Sequence, residues 1–542
     1  MITDNQAKNI QGIGIAGFRK DHQQLIGVRF DEPKKALGLV RELAHRTASA
    51  WEVKQFNDLF SEIRQRGRED DGAIKATWVG TLISAAGLTK LGVALGELPA
   101  GGGFDAFKAG MAARAPQIGD THPTDAPDQW LQEFRPGAGL DLLIVIAADD
   151  FDELDEVCGQ IHNHITAHGC VAVFDERGHT LPGKLRGHEH FGFKDGVSQP
   201  AIDGWDDAPA PGEPAALPLG EFVLGYPDAA GATVAPGDLW TDGSFAVFRR
   251  LRQDVFAFRQ QVAPGVAGAD PPLDATTTGA KLVGRWPSGA SPETSPTGDD
   301  GNVTNAFGYA QDADGLNVPR FAHVRKANPR DEQRVDLATE PTERHRMLRR
   351  GAPFGPPLAP DATADDGEER GLHFISVVAD VDRQFEFVQR QWLNDPNFPN
   401  GAVPPGPQQP YGPPPTPGEP SDGPDPLAGE FDPGSEDALH QPSGVHQFAV
   451  NREIVTVSAG EYFFVPSLAA LARLAKGATT SMATTDTATT ATAPTATATA
   501  DAATTDTAPT PDGTTAAATP VAATPAAGAA STPTPPSSGT EA

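Results

Sequence analysis
Three short segments, far apart in the chain, set charged or imidazole groups among apolar residues and glycines. The first is "HEHFGFKDGVSQP", His188 to Pro200, with Asp195 between Lys194 and Gly196. It fits neither a period near 3.6 nor a strict alternation, so it reads as a loop held by a scaffold. The second is "NVPRFAHVRKANPR", which contains His323. In the third, "HRMLRRGAPFGPPL", Arg346, Arg349 and Arg350 precede a Gly-x-Pro-aromatic-Gly turn. A neutral imidazole can ligate iron, a carboxylate can move a proton, and a guanidinium can stabilise developing negative charge. Together these are the groups that cleavage of a peroxide at haem iron requires. Each also has an ordinary reading. An aspartate before glycine is commonly a turn residue, and Arg344, Arg346, Arg349 and Arg350 could form a solvated helix face.

Two histidine groupings compete for a metal. "HNHITAH" places His164 and His168 four apart on an expected helix, a possible divalent-metal pair, but without the glutamate of the zinc-protease pattern. A solvated helix face is the simpler reading. His188 and His190, at the start of the first segment, read as structural packing. The two cysteines, Cys158 and Cys170, form no CxxC or Cys/His pattern and are expected as small buried thiols.

The formal charge of −30 argues against a general nucleic-acid binder, which needs a basic footprint. From Gly477 onward the composition turns to Ala, Thr and Pro, with Asp486, Asp501, Asp506, Asp512 and Glu541 as its only charges. Removing that −5 leaves −30 − (−5) = −25 on the rest. A segment with so few large apolar side chains cannot offset its ordering entropy, so 477–542 is expected to be disordered. The start, "MITDNQAKNIQGIG", has no basic-then-apolar leader or twin arginine. No run of about 18 apolar residues occurs. A cytoplasmic protein without a membrane partner is the expectation.

The remainder reads as mixed α and β. "LIGVRFD", "LDLLIVIAADD" and "CVAVFDERGHTL" are expected strands. "PKKALGLVRELAHR" and "FDELDEVCGQIHNHITAHG" have helical spacing, and "WVGTLISAAGLTKLG" reads as a small-residue helix capped by glycine. A second set follows Pro200: "EFVLGYP", "GSFAVFRRLRQDVFAFRQQV", "GLHFISVVADVDRQFEFVQRQWLND" and "GEYFFVPSLAALARLA". The Pro/Gly-rich stretches 263–300 and 397–434 are too long for ordinary structureless loops, so each is expected to be a functional wrap or partly mobile.

The chain resembles the dye-decolourising peroxidases. The resemblance rests on the Gly-x-x-Asp-Gly signature, Gly192 to Gly196, followed in family order by "DGSFAVFRRLRQD", "LVGRWPSG", "AHVRKANPR", "RRGAPFG", "GLHFIS" and "GEYFFVPSL". It runs from about Lys8 to about Lys476. It implies an α+β fold of two ferredoxin-like modules, with antiparallel sheets and flanking helices, divided as 1–185 and 186–476. The second module is then expected to hold haem b (iron protoporphyrin IX).

Carried over by residue, the resemblance implies His323 as proximal iron ligand, Asp195 as distal acid/base and Arg349 as distal arginine. Leu372 and Phe374 would line the distal face, and Asp425 of "GPDPLAG" would hydrogen-bond His323. The implied substrates are hydrogen peroxide and a bulky organic reductant, in a monomer or homodimer. Surface Trp240, Trp286, Trp392, Tyr309 or Tyr411 would relay electrons from dyes too large to enter. The rival readings are a haem carrier or sensor without turnover, and a non-enzymatic interaction protein suggested by the Ala/Thr/Pro tail.

Overall fold
The computed structural model describes residues 2–65, 75–234, 237–266, 269, 272–331, 341–398, 423–431, 436–442, 444–450 and 452–477. The tail, Tyr411 and most of the Pro-rich stretch 397–434 lie outside the described residues. Four strands build the first half: β1 (His22–Phe30), β2 (Trp78–Ser84), β3 (Leu142–Ala148) and β4 (Cys170–His179). The second half supplies β5 (Ser244–Gln253), β6 (Leu348–Arg349), β7 (Ala352–Phe354) and β8 (Gly371–Val378). A small hairpin, β9 (Glu436–Gln441) and β10 (Gly444–Ala449), precedes the long β11 (Val455–Val465).

The main sheet runs β5-β11-β2-β3-β1-β4-β7-β8-β6, with a further pairing of β5 to β8. The same order appears twice in it. In the first half the strands lie fourth-first-third-second, β4-β1-β3-β2. In the second half β11-β5-β8 lie fourth-first-third, and β6 and β7 share the second place beside β8. These are the two ferredoxin-like modules. They are joined through β2–β11 and β4–β7, and a single apolar core runs through both, from Leu25 and Ile144 to Phe245, Val377 and Phe463.

Local chemistry accounts for two of the three long helices on the first half, the third being Ala50–Gln65. Pro33 opens Pro33–Arg46, and Ala36, Leu39, Val40 and Leu43 form its buried stripe. The Asp150 side chain accepts the Glu153 N–H at the start of Phe151–Ala167, whose Leu154, Cys158, Ile161 and Ile165 face inward. Both cysteines are free and buried, and burial pushes Cys158 up to about 12 and Cys170 up to about 11.

One expectation is corrected. "WVGTLISAAGLTKLG" is not one helix: Trp78–Ser84 is β2, paired with β3 from Trp78↔Ala147 to Ile83↔Leu142. Only Ala85–Lys90 is helical, and the Ser84 hydroxyl caps it at Gly87 N–H. A central strand covered on both faces reads as a continuous apolar run, which periodicity cannot tell from a buried helix. Within 263–300, Ala275–Val283 is helical, capped by Asp274 and ended by left-handed Gly284. No helix among the described residues is long and apolar enough to cross a membrane.

Candidate active site
His323 opens the short helix His323–Ala327. Two buried cations anchor that helix. The Arg325 guanidinium donates to Val318 O at 2.7 Å and Asp312 O at 2.9 Å, and Lys326 Nζ donates to Asp395 O at 2.6 Å. His323 Nδ1 donates to Asp425 Oδ2 at 2.6 Å, across 102 residues of sequence. Asp425 is itself fixed, since its Oδ1 accepts the N–H groups of Leu427 (2.8 Å) and Ala428 (3.2 Å) and its side chain is fully buried. Burial disfavours the charged imidazole. The charge and hydrogen bond of Asp425 outweigh it, and the His323 pKa rises above its ordinary 6.5. The charge of Arg349 lowers it and that of Asp195 raises it, so both groups lie within electrostatic reach of the ring.

With Nδ1 engaged, the free nitrogen of His323 is Nε2, and the ring lines a cavity of about 330 Å³. The His323 side chain is 38% accessible. Asp195, Arg349, Leu372 and Phe374 line the same space. Leu372 and Phe374 are two apart on β8, so the strand's alternation turns both to one face. The structure thus brings five of the six expected site residues onto one cavity and places the sixth, Asp425, against His323.

The loop bearing Asp195 is held from several sides. His188 and Lys194 form an isolated β-bridge, Asp195 N–H donates to Gly187 O, and Lys194 N–H donates to Pro287 O. Gly192 (φ 96°) and Gly196 (φ 73°) supply left-handed turns that other residues adopt with strain. Asp195 Oδ1 accepts the Gly196 N–H at 2.6 Å.

Residues that sequence reading passed over complete this support. Glu189 accepts the N–H groups of Phe191 (2.8 Å) and Phe193 (2.9 Å) and the side-chain amide of Gln253 (2.6 Å). Gln199 clamps the backbone of Arg349 both ways: its Oε1 accepts Arg349 N–H and its amide donates to Arg349 O, each at 3.0 Å. The stretch that carries Asp195 therefore also positions Arg349. The signal was present in "DGVSQP", five residues from signature aspartate to proline, but its partner lies 150 residues away.

The four arginines are not a helix face. Arg349 lies in β6, and Arg344 sits in a 3-10 turn. Arg350 ties down the carbonyls of Ile13, Gly14 and Ile15. Arg346 lines the cavity and donates to Ser198 O at 3.0 Å, and burial, with Arg349 and Arg330, lowers it to about 10. Arg285 also lines the cavity.

His190 is structural: it is buried, bonded to Phe354 O at 2.8 Å, and lowered by burial to about 4. The relay candidates need correction. Trp240, Trp286, Trp392 and Tyr309 are all buried, because large aromatic rings contribute most to stability inside the core. Among these, Trp392 packs edge-on against His345, a residue of the cavity wall.

Glu189 yields a pH prediction. Burial is the largest influence on it and raises it from 4.5 to about 7, against the hydrogen bonds it accepts. The folded chain therefore holds a proton that the unfolded chain releases, so the contribution is full below pH 4.5 and is lost as pH rises to about 7. Glu189→Gln is neutral at every pH. Its unfolding temperature relative to the parent is expected to rise between about pH 5 and about pH 8. A difference that does not change with pH contradicts this assignment.

An imidazole with one nitrogen held by a carboxylate and the other facing an apolar cavity, beside a carboxylate and a guanidinium, is the donor set of a haem peroxidase. The cavity fits that group: Phe193, Leu251, Phe385 and Val388 offer apolar walls, and Arg285 and Arg346 offer cations for carboxylate substituents. The family profile described as the DyP dimeric alpha+beta barrel domain matches residues 9–182. Peroxidase 2 of Mycetinis scorodonius is 32% identical over 414 residues, covering 73% of this chain and 76% of its own. A dye-decolorizing peroxidase of Mycena epipterygia is 32% identical over 399 residues, covering 68% and 71%. A solved dye-decolorizing peroxidase in complex with 2,6-dimethoxyphenol superposes with a TM-score of 0.69 at 26% identity, covering 86% of this chain and 99% of that one. The chain belongs to the dye-decolorizing peroxidase family, whose members are haem enzymes that use hydrogen peroxide.

Proposed function
We propose that this peroxidase holds haem b through His323 and reduces hydrogen peroxide with Asp195 as acid/base and Arg349 as charge stabiliser, at the expense of dyes and phenols. The observation that carries the reading is the His323–Asp425 pair facing the cavity that Asp195 and Arg349 share. Bound haem would supply the iron at which the peroxide O–O bond is cleaved and the redox capacity passed on to the reductant. Asp425 holds the proton on His323 Nδ1, which fixes the tautomer and strengthens Nε2 as a donor. The Asp195 carboxylate takes a proton from one peroxide oxygen and returns it to the other, where water leaves. The Arg349 guanidinium stabilises negative charge as the bond breaks, and its backbone is held ready by Gln199.

A haem carrier would need the His323 side alone, and both cavity-lining partners, Asp195 and Arg349, favour turnover. The test is a Soret band in the purified protein followed by a peroxide-dependent dye assay. A haem-loaded protein that leaves dye and peroxide unchanged would defeat the enzyme reading. Arg349→Leu is expected to keep haem and slow the peroxide step by roughly two to three orders of magnitude. An unaltered rate would transfer the role to Arg346, which lines the same cavity.

A further inference from the structure
We propose that Glu42, His164 and His168 form a divalent transition-metal site on the first half of the molecule, one that pins the Pro33–Arg46 helix to the Phe151–Ala167 helix. The sequence shows two histidines one helical turn apart, and the fold adds a carboxylate from the neighbouring helix. Glu42, on the neighbouring helix, places Oε2 4.0 Å from His164 Nδ1. One donor atom from each of the three residues lies within 4.8 Å of the others. The two imidazoles are nearly parallel, 9° between planes with centroids 6.5 Å apart.

A second observation concerns Gly38, one turn before Glu42. A Cβ there would stand 2.3 Å from His168 Nδ1 and 2.4 Å from Cε1. Glycine inside a helix is unfavourable relative to alanine, and here it admits the His168 ring against the opposite helix. The ring is thereby brought to the Glu42 side of the interface.

Two imidazoles and a carboxylate match the three protein ligands of many zinc centres, with a fourth position left for water. Donors around tetrahedral zinc stand about 3.4 Å apart, so the three side chains need only small rotations to close on an ion. All three are partly exposed, which gives the ion an entry path. One neighbour opposes binding: Arg46 Nη2 lies 3.5 Å from His164 Nε2, while its Nη1 holds Gln160 at 2.9 Å. That cation raises the cost of a second positive charge and makes its removal informative.

The experiment uses the full-length, haem-loaded chain with any affinity tag removed, titrated with zinc chloride by calorimetry in a chelator-free buffer, alongside thermal unfolding. One saturable site per chain and a higher unfolding temperature are expected. His164→Gln and His168→Gln should each weaken binding at least about tenfold, and Glu42→Gln should weaken it in the same direction. Arg46→Ala should tighten it. Metal-free variants should keep the Soret band and peroxidase rate of the parent, which shows that they fold. Absence of binding at millimolar zinc overturns the site, as does binding that the two histidine variants leave unchanged.

Discussion

His323→Ala is expected to fold and to lose most of its haem. The substitution removes the imidazole whose Nε2 faces the cavity and leaves Leu372, Phe374 and the other walls in place. Apolar walls can hold a porphyrin only weakly without an axial bond to iron. The loss also strands the buried Asp425 carboxylate, which keeps its bonds to Leu427 and Ala428 but loses its side-chain partner. Leaving a buried acceptor short of a partner costs about 1–3 kcal/mol, so a lower unfolding temperature should accompany haem loss. The ratio of Soret to protein absorbance measures the first effect, and thermal unfolding measures the second. Imidazole added to the variant should restore part of the haem signal by entering the vacated space. Full haem content with an unchanged spectrum would show that another residue ligates the iron.

Asp195→Asn is expected to bind haem normally and to lose roughly 10²–10⁴-fold in the peroxide step, the usual range for a general acid–base group. Asparagine keeps the size of the side chain and can still accept the Gly196 N–H. The loop does not depend on the carboxylate, because Glu189, Gly187 and Pro287 hold its backbone. The loss therefore isolates proton transfer from loop position. Stopped-flow observation of the haem spectrum after mixing with peroxide, at several pH values, is the measurement. The parent should be fast and the variant slow throughout the pH series. A variant as fast as the parent would return Asp195 to the role of a turn residue.

Much of the site was legible because its parts are short motifs. Gly192-Phe-Lys-Asp-Gly196, the His323 segment and Arg349 before its glycine carry their chemistry within a few residues, and resemblance to the family then assigned their roles. The failures share one cause. Local pattern does not identify "WVGTLIS", because a strand's identity depends on its neighbours, and β2 is defined by β3 and β11 on either side. The relay aromatics differ from expectation because burial cannot be read from residue type alone; Trp392 is buried beside Phe387 and His345.

The sequence by itself determined what local physics controls. It specified two of the three long helices, through Pro33, the Asp150 cap and their apolar stripes, and the strands β1, β3 and β4, through their apolar runs. Resemblance to the family identified which aspartate, histidine and arginine to watch. Only the tertiary structure decided which groups meet: Gln253 on Glu189 behind the signature loop, Gln199 on Arg349, and Glu42 opposite His164. Those meetings join residues separated by tens to hundreds of positions or by a change of element. Hydrogen bonds and ion pairs act over a few ångströms, so their partners are set by how the sheet and its helices pack, which no local pattern encodes.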